Sequence, residues 1–105
     1  MSYKKILHFG NDDKFIEKAY KEFQKFNHIA KSDYIIFTSK KLRYVDFPCK
    51  VQNSHFLSNR ENEYLFNSYD LIIIHFLDEK YIPCLKNGKI RTKILWMGWG
   101  GDYYW

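Results

Sequence analysis

The stretch that most constrains this chain is Leu71-Ile72-Ile73-Ile74, set between Asp70 and His75-Phe76-Leu77. A strand with one wet face alternates apolar and polar side chains. Four branched aliphatics in a row leave no polar face, so the strand over 70–77 must be covered on both sides, as in a parallel sheet. Parallel strands need crossover connections, usually helices, and the helices supply that cover. An α/β fold follows from these residues. With 105 residues the chain forms one domain with a single core. A hydrophobic content of 46%, including 20% aromatics, excludes a disordered chain.

The remaining segments fit that frame. Lys4 to Phe9 reads as a first strand closed by Gly10. Asn11, Asp12 and Asp13 supply caps and first-turn carboxylates for a helix on which Phe15, Ile16, Ala19, Tyr20, Phe23 and Phe26 recur at helical spacing. Asp33 to Ser39 is a second strand. Cys49 to Gln52, after Pro48, is a short edge strand. Ser58 to Ser68 reads as a helix, with Ser58 and Glu61 in capping-box spacing and Tyr64, Leu65 and Tyr69 facing inward. Asp78 and Glu79 open a short helical stretch that carries Pro83 and stops near Asn87-Gly88. Ile94 to Trp99 is a last strand, expected to be buried on both faces, and Gly100-Gly101 end it in a tight turn. The expected architecture is a Rossmann-like three-layer sandwich with a mostly parallel sheet of about five strands, the first and fourth central. Because the sequence stops just after Asp102-Tyr103-Tyr104-Trp105, we expect a truncated domain of a longer protein.

Several function classes lack their signals. Cys49 and Cys84 are far apart and fit no C-x-x-C pattern, and the histidines at 8, 28, 55 and 75 have no zinc spacing, so no metal is expected. The net charge of +5 is carried mostly by lysines in runs no longer than two. A nucleic-acid surface asks for a dense stripe, so no nucleic-acid partner is expected, while diffuse attraction to an anionic membrane remains open. No signal peptide or bilayer-spanning run is visible, which points to a cytoplasmic chain. The patterns G-x-G-x-x-G, G-x-x-x-x-G-K-[ST] and G-x-S-x-G are absent, and no cofactor is expected.

Ligands of open α/β sheets bind at the carboxyl ends of the strands. Three groups are expected there: His8 with Gly10 and Asn11 after the first strand, His75 with Asp78 and Glu79 after the fourth, and Gly100, Gly101 and Asp102 after the last. A histidine near a carboxylate is equipment for general-base chemistry on a hydroxyl. The same residues also read more plainly, with Asp102 as a helix N-cap and His75 bonded to a loop carbonyl.

Lys5 to Phe15, the Asp70-Leu-Ile-Ile-Ile-His-Phe-Leu strand and, most specifically, Ile94-Leu-Trp-Met-Gly-Trp-Gly-Gly-Asp-Tyr-Tyr resemble the N-terminal third of the 4-acetamido-4,6-dideoxygalactosyltransferases. These are TDP-N-acetylfucosamine:lipid II N-acetylfucosaminyltransferases of bacterial surface-polysaccharide synthesis. The resemblance implies a GT-B glycosyltransferase, in which a C-terminal domain binds the nucleotide-sugar donor and this part receives a lipid-linked acceptor. It makes His75 and Asp102 the candidates to orient or deprotonate the acceptor hydroxyl, and His8, Gly10, Asn11, Gly100 and Gly101 the candidates to contact substrate. It also implies that the chain alone is inactive and that its lysines assist peripheral contact with the membrane. The absence of a D-x-D motif agrees with metal-independent GT-B chemistry. The alternative is a non-catalytic flavodoxin-like or receiver-like binding module, although the central strand ends in His75 where a receiver carries aspartate.

Overall fold

The computed structural model describes residues 4–75 and 79–96. Among them, β1 (Lys5–Gly10) leads into α1 (Lys14–Gln24), followed by β2 (Lys31–Phe37) and β3 (Lys50–Gln52). Two 3₁₀ turns, Ser54–Leu57 and Arg60–Asn62, then precede α2 (Glu63–Asn67) and β4 (Leu71–Ile74). A third 3₁₀ turn, Glu79–Tyr81, runs into α3 (Ile82–Lys86), and β5 (Lys93–Trp96) follows. The five strands form one sheet in the order β3-β2-β1-β4-β5, and every pairing is parallel. This is the strand order of the Rossmann fold, not the 2-1-3-4-5 order of flavodoxin-like sheets.

The period-2 geometry of the strands sorts the core onto two faces. Leu7, Phe9, Ile35, Phe37, Ile72 and Ile74 point to one side, where Leu57, Phe66, Tyr81 and Cys84 cover them. Tyr34 and Ile36 point to the other, against Ile16 and Ala19 of α1 and Val45 and Phe47 of the β2–β3 connection. Ile6, Leu71 and Ile73 continue that face under Phe23. The Leu71–Ile74 run is buried at all four positions, and β1 lies at the centre of the sheet with β4 beside it, as the sequence indicates.

Several expectations need correction. Ile94 to Trp96 is not buried on both faces: β5 is an edge strand paired to β4, with Ile94 half-buried and Leu95 and Trp96 exposed. Trp99 and the glycine turn lie outside the described residues. The 58–68 helix breaks into a 3₁₀ turn and the five-residue α2, because Asn59 takes the Glu61 N–H and the Ser58 hydroxyl turns back to the His55 carbonyl. Phe66 is the side chain that this segment buries, and Tyr64 is 86% exposed. The expected apolar stripe is shorter than its sequence: Phe15 at the start of α1 is exposed, and Phe26 falls in the turn after the helix and is exposed as well. β2 also begins earlier, at Lys31, whose N–H joins the ladder through the Lys4 carbonyl.

Candidate functional site

From β1 the chain steps outward to β2 and β3, then returns to the far side of β1 to form β4. The crevice between the carboxyl ends of β1 and β4 is therefore the topological switch point, the place where this fold takes its ligands. Gly10 and Asn11 end one side of it and His75 the other, with the His75 N–H bonded to the Phe9 carbonyl at 3.0 Å.

His8 and His75 lie on the α1 face of the sheet, both essentially sealed from solvent. His8 Nδ1 is 2.7 Å from His75 Nε2, and His8 Nε2 is 2.9 Å from the Ser32 hydroxyl. The His8 ring stacks on Tyr34 with centroids 4.4 Å apart and meets the edge of Phe23 at 4.6 Å. Two imidazole nitrogens at hydrogen-bond distance hold one proton between them, so one ring donates and the other accepts. Burial lowers the pKa of both rings, and the nearby His75 lowers that of His8 further. A neutral imidazole is the form a general base requires, but His75 spends Nε2 on His8.

The start of α1 is already filled by its own carboxylate. Asp13 Oδ1 accepts the Phe15 and Ile16 N–H groups at 3.0 and 3.1 Å. Asp12 turns away instead and accepts the N–H groups of Arg43, Tyr44 and Val45 at 2.7, 2.9 and 3.1 Å. Partial desolvation pushes the Asp12 carboxyl up, but these three hydrogen bonds overcome it and bring the pKa below its ordinary value. With Asp13 on the free amides and Asp12 beside it, a phosphate would meet negative charge where dinucleotide-binding folds offer bare N–H groups. Gly10 permits the close packing of α1, because a Cβ there would lie 2.6 Å from Ile16 Cδ1. Across the crevice the Lys80 ammonium donates to the Asn11 side-chain oxygen and sits over the Phe37 and Tyr81 rings at 5.8 and 5.4 Å.

Of the expected site residues, Asn11 follows β1 and His75 follows β4 at the switch point, the Asn11 side chain on Lys80 and the His75 ring buried on His8. His8 is not a crevice residue: it faces Ile73 and Tyr34 in mid-strand and reaches the site only through His75. Gly10 serves helix packing. Gly100, Gly101, Asp102 and Asp78 lie outside the described residues. Sequence reasoning missed Ser32 and Lys80. The register of β2 against β1 would have exposed the first; no sequence signal marks the second. Neither protein-family models nor curated protein sequences give a match to this chain.

Proposed function

We propose that this chain is the acceptor-side, N-terminal domain of a bacterial GT-B glycosyltransferase, working with a second domain that binds a nucleotide-sugar donor. The observation that carries this reading is the arrangement of side chains at the switch point between β1 and β4. Its helix N-terminus is closed by Asp13, while Asn11 and Lys80 provide an amide and an ammonium at its rim. Such a rim suits a glycan hydroxyl better than the pyrophosphate of a nucleotide. The Trp-Gly-Gly-Asp resemblance adds the reaction class, and Asp102 is the candidate to deprotonate the acceptor.

In this reading the protein is cytoplasmic and touches the inner face of the membrane peripherally, and the acceptor is lipid-linked or a polysaccharide. No helix among the described residues is long and apolar enough to cross a bilayer. The test is sugar transfer by the longer parent protein, wild type against Asp102→Asn and His75→Gln. We expect transfer by the wild type, loss of at least a hundredfold in Asp102→Asn, in the range of a lost general base, and none by the chain alone. Full activity in Asp102→Asn removes that residue from the mechanism. No transfer by the two-domain protein removes the function.

A further inference from the structure

The lysines that look scattered along the sequence are gathered by the topology. In an all-parallel sheet every strand begins at the same edge, and β1, β2 and β5 each begin on an exposed lysine: Lys5, Lys31 and Lys93. Lys5 and Lys31 are register partners, and Lys4 and Arg91 extend the row. Lys89, Arg91 and Lys93 line a shallow hollow of about 820 Å³ beside Asp70. Two carboxylates share this edge and keep their charge, Asp70 accepting the Lys4 and Lys5 N–H groups and Asp33 the Tyr69 hydroxyl, so the basic side chains outnumber them. Phe26 and Ile29, in the turn that delivers Lys31, are 54% and 60% exposed.

We propose that this amino-terminal rim is an anionic-lipid docking surface, with Lys4, Lys5, Lys31, Arg91 and Lys93 on the headgroups and Phe26 and Ile29 entering the interface. It rests on the peripheral contact proposed above and assigns that contact a face. Basic groups attract an anionic leaflet, and apolar tips among them add burial that salt does not screen. Phe26 alone could serve as a platform for a base, whereas Ile29 beside it offers nothing to stack on and both tips can enter a lipid interface, so the pair favours lipid over nucleic acid. The switch point lies at the opposite, carboxyl-terminal edge of the same sheet.

Co-sedimentation of the chain with vesicles tests the surface. We expect binding to phosphatidylcholine vesicles containing phosphatidylglycerol, none to phosphatidylcholine alone, and weakening at about 0.5 M salt. Lys31→Glu with Lys93→Glu should weaken binding about tenfold or more. Phe26→Ser with Ile29→Ser should remove the salt-resistant part, and Lys40→Glu with Lys41→Glu in the loop after β2 should change little. The neutral pair Lys31→Gln and Lys93→Gln, with an unchanged melting temperature, excludes misfolding. Equal loss from the 40/41 pair overturns the face but leaves peripheral contact standing. No binding to anionic vesicles at low salt overturns both, without touching the sugar-transfer reading. Tighter binding to a single-stranded oligonucleotide, lost in the same rim variants, makes the surface a nucleic-acid site and overturns the proposal.

Discussion

His8 Nδ1 and His75 Nε2 meet at 2.7 Å inside an apolar cage of Phe23 and Tyr34, so the central and neighbouring strands are joined by a pair of neutral imidazoles. The folded state resists protonation of both rings, since burial depresses both pKa values. The unfolded chain binds those protons below about pH 6.5. Stability is therefore at its plateau above that pH and falls as the solution is acidified, by about 1.4 kcal/mol per pH unit for each ring. Urea unfolding followed from pH 8 to pH 4 should show this acid limb, and His75→Gln should roughly halve its slope. A flat profile from pH 7 to 4.5 would show that the pair takes up protons in place.

Gly10 faces Ile16 so closely that an added methyl would sit 2.6 Å from Cδ1 and 2.9 Å from Cγ1. Gly10→Ala must push Ile16, a fully buried residue of α1, off its position. We expect a loss of about 1–3 kcal/mol, typical of overpacking a tight core. Ile16→Val removes Cδ1, so the double variant should lose less than the two single losses combined. Denaturant melts of the four proteins measure that coupling. Strict additivity would mean that the helix shifts as a body to accommodate the methyl.

How far the sequence could be read follows from what each residue responds to. Leu71 to Ile74 announce a doubly covered strand because local chemistry suffices: four apolar side chains have nowhere else to go. Ile94 to Trp96 carry a similar local signal yet form an edge strand, because exposure there depends on which neighbours the topology supplies. The candidate site divides in the same way. Asn11 and His75 were legible as strand-end residues, whereas the burial of His8 depends on its register with Tyr34 and Ile73. Lys80 reaches Asn11 across sixty-nine positions of sequence, and nothing local encodes that approach.

Phe66 and Tyr64 separate the observed packing of α2 from the amphipathic helix expected over 58–68. Phe66 is 1% exposed and meets Phe9 edge-on at 5.5 Å, whereas Tyr64 is 86% exposed. Phe66→Ala should cost about 3–5 kcal/mol, the loss usual for an aromatic removed from a core. Tyr64→Ala should stay within about 0.5 kcal/mol, as for exposed positions. Thermal and urea unfolding of both variants decide between the two arrangements, and comparable losses would restore Tyr64 to the core.

Asp12 holds the β2–β3 connection to the end of β1 by accepting three consecutive backbone N–H groups, from Arg43, Tyr44 and Val45. That connection carries Val45 and Phe47 onto the α1 face, where Phe47 stacks on Tyr20 at 4.1 Å, so the carboxylate fixes part of the core's cover from outside it. Asp12→Ala leaves the three donors to water and should cost about 1.5–3 kcal/mol, the range for hydrogen bonds to a charged group. Asp12→Asn keeps one side-chain acceptor oxygen and should lose less. Because the folded-state pKa of Asp12 is depressed, its contribution is full above the unfolded pKa of about 4 and is lost as pH falls through the lower folded value. Limited proteolysis supplies the local readout: cleavage between residues 39 and 48 should quicken in Asp12→Ala well below the unfolding temperature. Unchanged cleavage there would mean that Val45 and Phe47 hold the connection without the carboxylate.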